Sequence, residues 1–221
     1  MWLDTVLILL VLTGLWLLGS SRLQACIHAV AFQGVLLGLI PLFAKWPQIG
    51  LRLAAVAALS LVLKALVLPA LLRRAVREAN VRNEVDPLLG FTTSLLVGGG
   101  LWLTATHLAG QLPVASLGVS SLLVPAAIFT VLCGLLLLVS RNTAVMQVIG
   151  YLTLENGIFT FGWALAIEEP LLVEMGILLD VLVAVFVMGI TIHHLSREFD
   201  SIETARQLLE QRHGRRARRR S

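Results

Sequence analysis

Ser116-Leu-Gly-Val-Ser-Ser-Leu-Leu-Val-Pro-Ala-Ala-Ile-Phe-Thr-Val-Leu-Cys-Gly-Leu-Leu-Leu-Leu-Val139 carries no charged residue over a length that can cross a bilayer. A spanning helix needs about 20 mostly apolar residues. The run is continuous rather than alternating, which disfavours a strand of a membrane barrel. Six further stretches have the same character, at 3–20, 23–43, 50–72, 88–109, 143–167 and 171–194. With 57% hydrophobic and 14% charged residues and a mean hydropathy of +0.89, the chain lies outside the range of soluble domains. The expected fold is an all-α membrane protein of seven transmembrane helices. The first stretch has no basic residue before it and no A-x-A site after it, so it reads as a retained helix rather than a signal peptide.

Basic residues orient this bundle. Seven helices leave Arg22, Arg73, Arg74, Arg77, Arg82, Arg141 and eight tail arginines from Arg197 to Arg220 on one side. Lys45 and Arg52 fall on the other, and Lys64 lies within the third stretch. The positive-inside rule then places the C-terminus in the cytoplasm and the N-terminus outside. Most of the net charge of +4 resides in the tail. No aromatic residues are interleaved with the crowded Arg215, Arg216, Arg218, Arg219 and Arg220, so the tail reads as an anchor to anionic lipid at the bilayer surface, not a nucleic-acid site. Cys26 and Cys133 have neither metal-ligand spacing nor a disulfide framework and read as small packing residues.

The chemistry lies in polar residues within the apolar stretches. Glu155, Asp180 and Lys64 are each inside a predicted span, where an unpaired charge costs about 2.5–3.5 kcal/mol on insertion scales. Leu152, Glu155 and Asn156 share one helical face. Asp180 is expected at similar depth on the next helix, with Glu174 nearly two turns further out. Gln33 and His28 lie on the second helix. Two readings of these residues stand. Buried acids whose proton affinity is raised can pass protons along adjacent helices, or Lys64 pairs with Asp180 or Glu155 in an ion pair that fixes helix register. No nucleophile–base pair, phosphate loop or metal-ligand spacing can be assembled, so a non-catalytic chain without cofactor or metal is expected.

The segments beginning at Arg22 and Arg141 both open a helix after a short basic turn, 119 residues apart. The same offset carries Lys64 to within one turn of Asp180. The expected organisation is therefore a three-helix unit at 1–75, a connector and fourth helix at 76–115, a second three-helix unit at 116–197 and an Arg-rich tail at 198–221.

Ser140-Arg-Asn-Thr-Ala-Val-Met-Gln-Val-Ile-Gly-Tyr-Leu-Thr-Leu-Glu-Asn-Gly157 resembles the second-helix region of the K subunit of respiratory complex I and of the C subunit of multisubunit sodium/proton antiporters. Together with Val173-Glu-Met-Gly-Ile-Leu-Leu-Asp180, nearly the whole chain resembles the hydrogenase-4 component E family. The resemblance implies a non-catalytic membrane subunit in a complex that joins antiporter-like membrane subunits to a [NiFe] hydrogenase module, with buried acids contributing to proton translocation. It also implies two K-like units. The motif's glutamate falls on Leu152, with the acid displaced one turn to Glu155, and the second K-type acid falls near Asp180. The counterpart of the first acid in the N-terminal unit is Gln33, which cannot titrate. A structural scaffold in such a complex and a free-standing small ion transporter are the alternatives.

Overall fold

A computed structural model describes residues 2–44, 55, 58–59, 61–78, 90–112, 120–141 and 143–165. All its regular structure is helical: α1 (Trp2–Gly19), α2 (Leu23–Ala44), a π-helical turn (Leu63–Val67), α3 (Leu68–Glu78), α4 (Phe91–Gln111), α5 (Leu123–Ser140) and α6 (Ala144–Leu165). Three helical segments, Trp2–Gly19, Leu23–Ile40 and Leu123–Ser140, are long and apolar enough to cross a membrane, as befits a helical membrane protein. Helices α4 and α6 have comparable length, but glycines, threonines and His107 in one, and Gln147, Glu155 and Asn156 in the other, dilute their apolar character. The predicted span at 50–72 is described in part, and the span at 171–194 and the tail lie outside the described residues.

In lipid, helices are not drawn together by the hydrophobic effect, so backbone proximity and dispersion must hold them. Helices α5 and α6 form a hairpin built on this principle. A Cβ at Gly134 would collide with the Leu154 backbone, one at Gly150 would come within 2.8 Å of the Leu138 nitrogen, and one at Gly157 within 2.5 Å of the Val131 nitrogen. Only hydrogen fits at these three positions. Helices α1 and α2 form a second hairpin with the same lengths, 18 and 22 residues, as α5 and α6. The two hairpins meet where Cys133 Sγ donates to the Gly14 carbonyl at 3.3 Å across 119 residues of sequence, the offset between the two basic turns.

Helix α4 packs on α1 and α5. Its Gly98 approaches Leu18 and Leu15 of α1, whereas Gly99 and Gly100 have no neighbours within 4 Å. A run of three glycines in a helix permits either a kink or a close backbone approach. Helix α4 runs unbroken, and Gly98 provides the approach. In α3, Leu68, Leu72 and Val76 recur every fourth residue and are buried, while Arg73, Arg74 and Arg77 are exposed. This is the amphipathic pattern expected of a helix lying half on the bundle.

The apolar interior divides into two clusters. One, around Leu18, Ile27, Leu72, Cys133, Leu137 and Ile149, occupies the end of the bundle bearing Arg22 and Arg141. The other, around Leu7, Leu10, Leu37, Ile40, Phe159 and Trp163, occupies the opposite end. A layer of buried polar side chains lies between them.

Candidate functional site

This layer is set by helix geometry. Residue 64 belongs to a π-helical turn in which the Leu68 N–H donates to the Leu63 carbonyl, five residues back. Pro69 has no N–H and cannot carry the widened ladder one residue further, so the turn ends and α3 begins. Turns of this kind are frequent at functional sites because they rotate side chains out of α register. Against this turn lies Gly34 of α2, where a Cβ would sit 2.6 Å from the Lys64 carbonyl carbon. The glycine lets α2 touch the backbone that carries the lysine. Glu155 and Asn156 are adjacent on α6, held by the glycine-packed hairpin.

Lys64 Nζ lies 2.5 Å from Glu155 Oε1, and both side chains are 2% exposed. The ammonium also donates to Asn156 Oδ1 at 3.3 Å, and it stands 5.3 Å from the centre of the Phe159 ring, close enough for a cation–π contact. From Asn156 the hydrogen bonds continue: Nδ2 donates to Gln33 Oε1 at 3.3 Å, Gln33 Nε2 to Thr13 Oγ1 at 3.2 Å, and Thr13 Oγ1 to the Leu10 carbonyl at 2.8 Å. Helices α6, α2 and α1 and the π turn thus contribute to one polar chain. Other buried hydroxyls do not join it: Thr130, Thr153 and Thr160 each donate to a carbonyl four residues back on their own helix, a common way to satisfy a hydroxyl in an apolar setting.

Of the residues singled out in the sequence, Lys64, Glu155, Asn156 and Gln33 converge. Of the two acids weighed as partners of Lys64, Glu155 meets it. His28 is exposed on the outer face of α2 and makes no part of the chain. Asp180 and Glu174 lie outside the described residues. Thr13 escaped the sequence reading, although its position near the middle of α1, as Gln33 is near the middle of α2, was the available signal.

A second polar site lies at the turn between α5 and α6. Arg141, counted in the sequence as a loop charge, is 2% exposed. Its Nη2 donates to the Leu18 carbonyl at 2.9 Å and the Ser20 carbonyl at 3.4 Å, satisfying acceptors that the end of α1 leaves open. Gln147 Nε2 in turn donates to the Arg141 carbonyl at 3.3 Å. Burial draws the pKa of this guanidinium below the usual arginine value, and arginine remains charged nonetheless. The residue ties the two hairpins together. Among the described residues, no group of three or more His, Cys, Asp or Glu side chains is placed to hold a metal ion.

No protein-family model matches the chain, and no solved structure matches it significantly. Among curated proteins it is similar to "Uncharacterized protein Rv0085" of Mycobacterium tuberculosis (strain ATCC 25618 / H37Rv), with 42% identity over 191 residues, covering 86% of this chain and 87% of that protein.

Proposed function

This chain belongs to the same family as that Mycobacterium tuberculosis protein, and we propose that it is a non-catalytic membrane subunit in which the Lys64–Glu155 pair handles a proton or couples charge. The observation that carries this reading is the 2.5 Å contact between an ammonium and a carboxylate buried within an apolar bundle. As a stability device such a pair is poor. Desolvating two charges offsets most of their attraction, and apolar residues of similar volume often do as well or better. Its position on a π-helical turn, beside a chain of polar side chains, fits a working site.

The resemblance of Ser140–Gly157 to the K-type and antiporter C-type subunits supplies the wider setting. In this reading the protein is a hydrogenase-4-type subunit, a seven-helix chain of two K-like units joined by one helix, in the bacterial inner membrane with its N-terminus outside. Its partners are antiporter-like membrane subunits and a [NiFe] hydrogenase module. Asp180 is the companion acid, and Glu174 lies on the same route.

The second reading is a scaffold in which the pair only sets register, favoured by the close fit of Gly34 against the Lys64 backbone. The two separate in the complex isolated from native membranes and returned to vesicles. Glu155→Gln and Lys64→Met are expected to leave subunit composition intact and lower redox-driven proton movement at least about tenfold, a barrier increase of about 1.4 kcal/mol. Full proton movement in an intact Glu155→Gln complex would sink the proton-path reading. Failed assembly of both single variants, together with normal assembly and proton movement in Lys64→Met/Glu155→Leu, would establish the scaffold.

A further inference from the structure

The polar chain that starts at Lys64 has a direction. An ammonium has three donors and no acceptor. Asn156 must therefore turn its carbonyl oxygen toward Lys64, which leaves its NH2 group facing Gln33. Gln33 must accept with Oε1, so its own NH2 faces Thr13. The Thr13 oxygen accepts that bond, and its proton goes to the Leu10 carbonyl, within the same helix. Every donor points away from the charge, and every side-chain acceptor dipole points back toward it. Hydrogen bonds aligned in this way polarise one another in a low-dielectric interior.

We infer that Asn156, Gln33 and Thr13 are positioning residues that act through this one-way chain to hold the proton on Lys64 Nζ. The inference rests on the proton-handling reading of the pair and deepens it, by assigning the charge-bearing end to Lys64 and the anchoring end to a backbone carbonyl on α1. Loss of the proton would give Lys64 a lone pair and release the constraint on both amides, so the charge state of the lysine is linked to the hydroxyl orientation of Thr13.

Few other described groups compete for this control. From α6, Lys64 faces Glu155, Asn156 and the Phe159 ring. Helix α2 presents Gly34 to the Lys64 backbone; of its titratable residues, His28 is exposed and Cys26 is buried in the apolar cluster around Ile27 and Leu137. On α3 the arginines Arg73, Arg74 and Arg77 are exposed. Asp4 of α1 is engaged by the Ser120 hydroxyl at 2.6 Å.

The sequence contains two lysines, Lys45 and Lys64, which permits a direct test on the full chain in lipid nanodiscs. With 13C-labelled lysine, the Cε signal of each side chain reports its charge, and Lys45→Arg assigns the pair. Thr13→Val removes the hydroxyl with little change in shape, and Thr13→Ser retains it. The pH at which Lys64 loses its proton is expected to fall by about half a unit in Thr13→Val, to fall by about one unit in Gln33→Leu and to stay at the wild-type value in Thr13→Ser. These correspond to roughly threefold and tenfold changes in the protonation constant. An unchanged profile in both Thr13→Val and Gln33→Leu overturns the inference, as does a lysine that stays charged throughout in every variant. An equal shift in Thr13→Ser and Thr13→Val also overturns it, because packing rather than the hydroxyl would then be responsible. Where Gln33→Leu fails to fold, the Thr13 pair decides alone. A shift in Lys64 titration alongside undiminished proton movement in the Lys64→Met complex would defeat the proton-path reading while leaving the chain's hold on the lysine intact.

Discussion

The two helical hairpins share lengths and a short basic turn, yet they use their glycines for different ends. In α5–α6, Gly134, Gly150 and Gly157 bring the two helices of one hairpin together backbone to backbone. In α1–α2, Gly34 and Gly38 of α2 face outward from their own hairpin and admit Lys64 and Leu61 of the following segment. The first arrangement makes a rigid mount for Glu155. The second lets a lysine-bearing π turn come close enough to meet it. A common hairpin plan thus yields an acid holder in one half and a lysine receptor in the other, with Gln33 where the resemblance would place the first acid.

Substituting the glycines separates these roles. The largest effect is expected from Gly134→Ala, because the new methyl would meet the Leu154 backbone and neither helix can shift without opening the hairpin. A loss above about 3 kcal/mol is expected, at the upper end of overpacking effects, read as a collapse of monodisperse protein in detergent. Normal folding of this variant would show that the hairpin is not held by backbone contact. Gly34→Ala is expected to cost about 1–3 kcal/mol and to change the Lys64 Cε signal, since the methyl presses on the lysine's own backbone. A thermal shift without a change at Lys64 would mean that Gly34 packs the helix but does not place the lysine. The smallest effect belongs to Gly99→Ala and Gly100→Ala on α4, where no atom lies within 4 Å of the added carbon. Relief of the glycine penalty predicts a gain of up to about 1 kcal/mol each in the isolated chain, visible as a raised melting temperature. A lowered one would reveal that α4 needs these glycines for a contact within the chain.

Much of this was legible in residue order. Continuous apolar runs with no alternation dictate helices in lipid, and the charges inside them stand out because an isolated one there is costly. Leu152, Glu155 and Asn156 could be placed on one face from spacing alone, and all three are buried. Arg141 does lie between two spans, but its burial could not be foreseen, because hydropathy treats a residue in that position as solvent-facing. Its burial depends on the end of α1, more than 120 residues earlier in the chain.

The sequence by itself determined the helical membrane class, the chemistry available at mid-span and the choice of Lys64, Glu155, Asn156 and Gln33 as residues of interest. These follow from local composition and helical periodicity, which need no knowledge of neighbours. The tertiary structure decided that Lys64 meets Glu155, that His28 stands apart and that Thr13 completes the chain. Each of these outcomes depends on which helix faces approach one another. In lipid that is settled by where small residues allow backbones to touch and where every buried donor finds an acceptor.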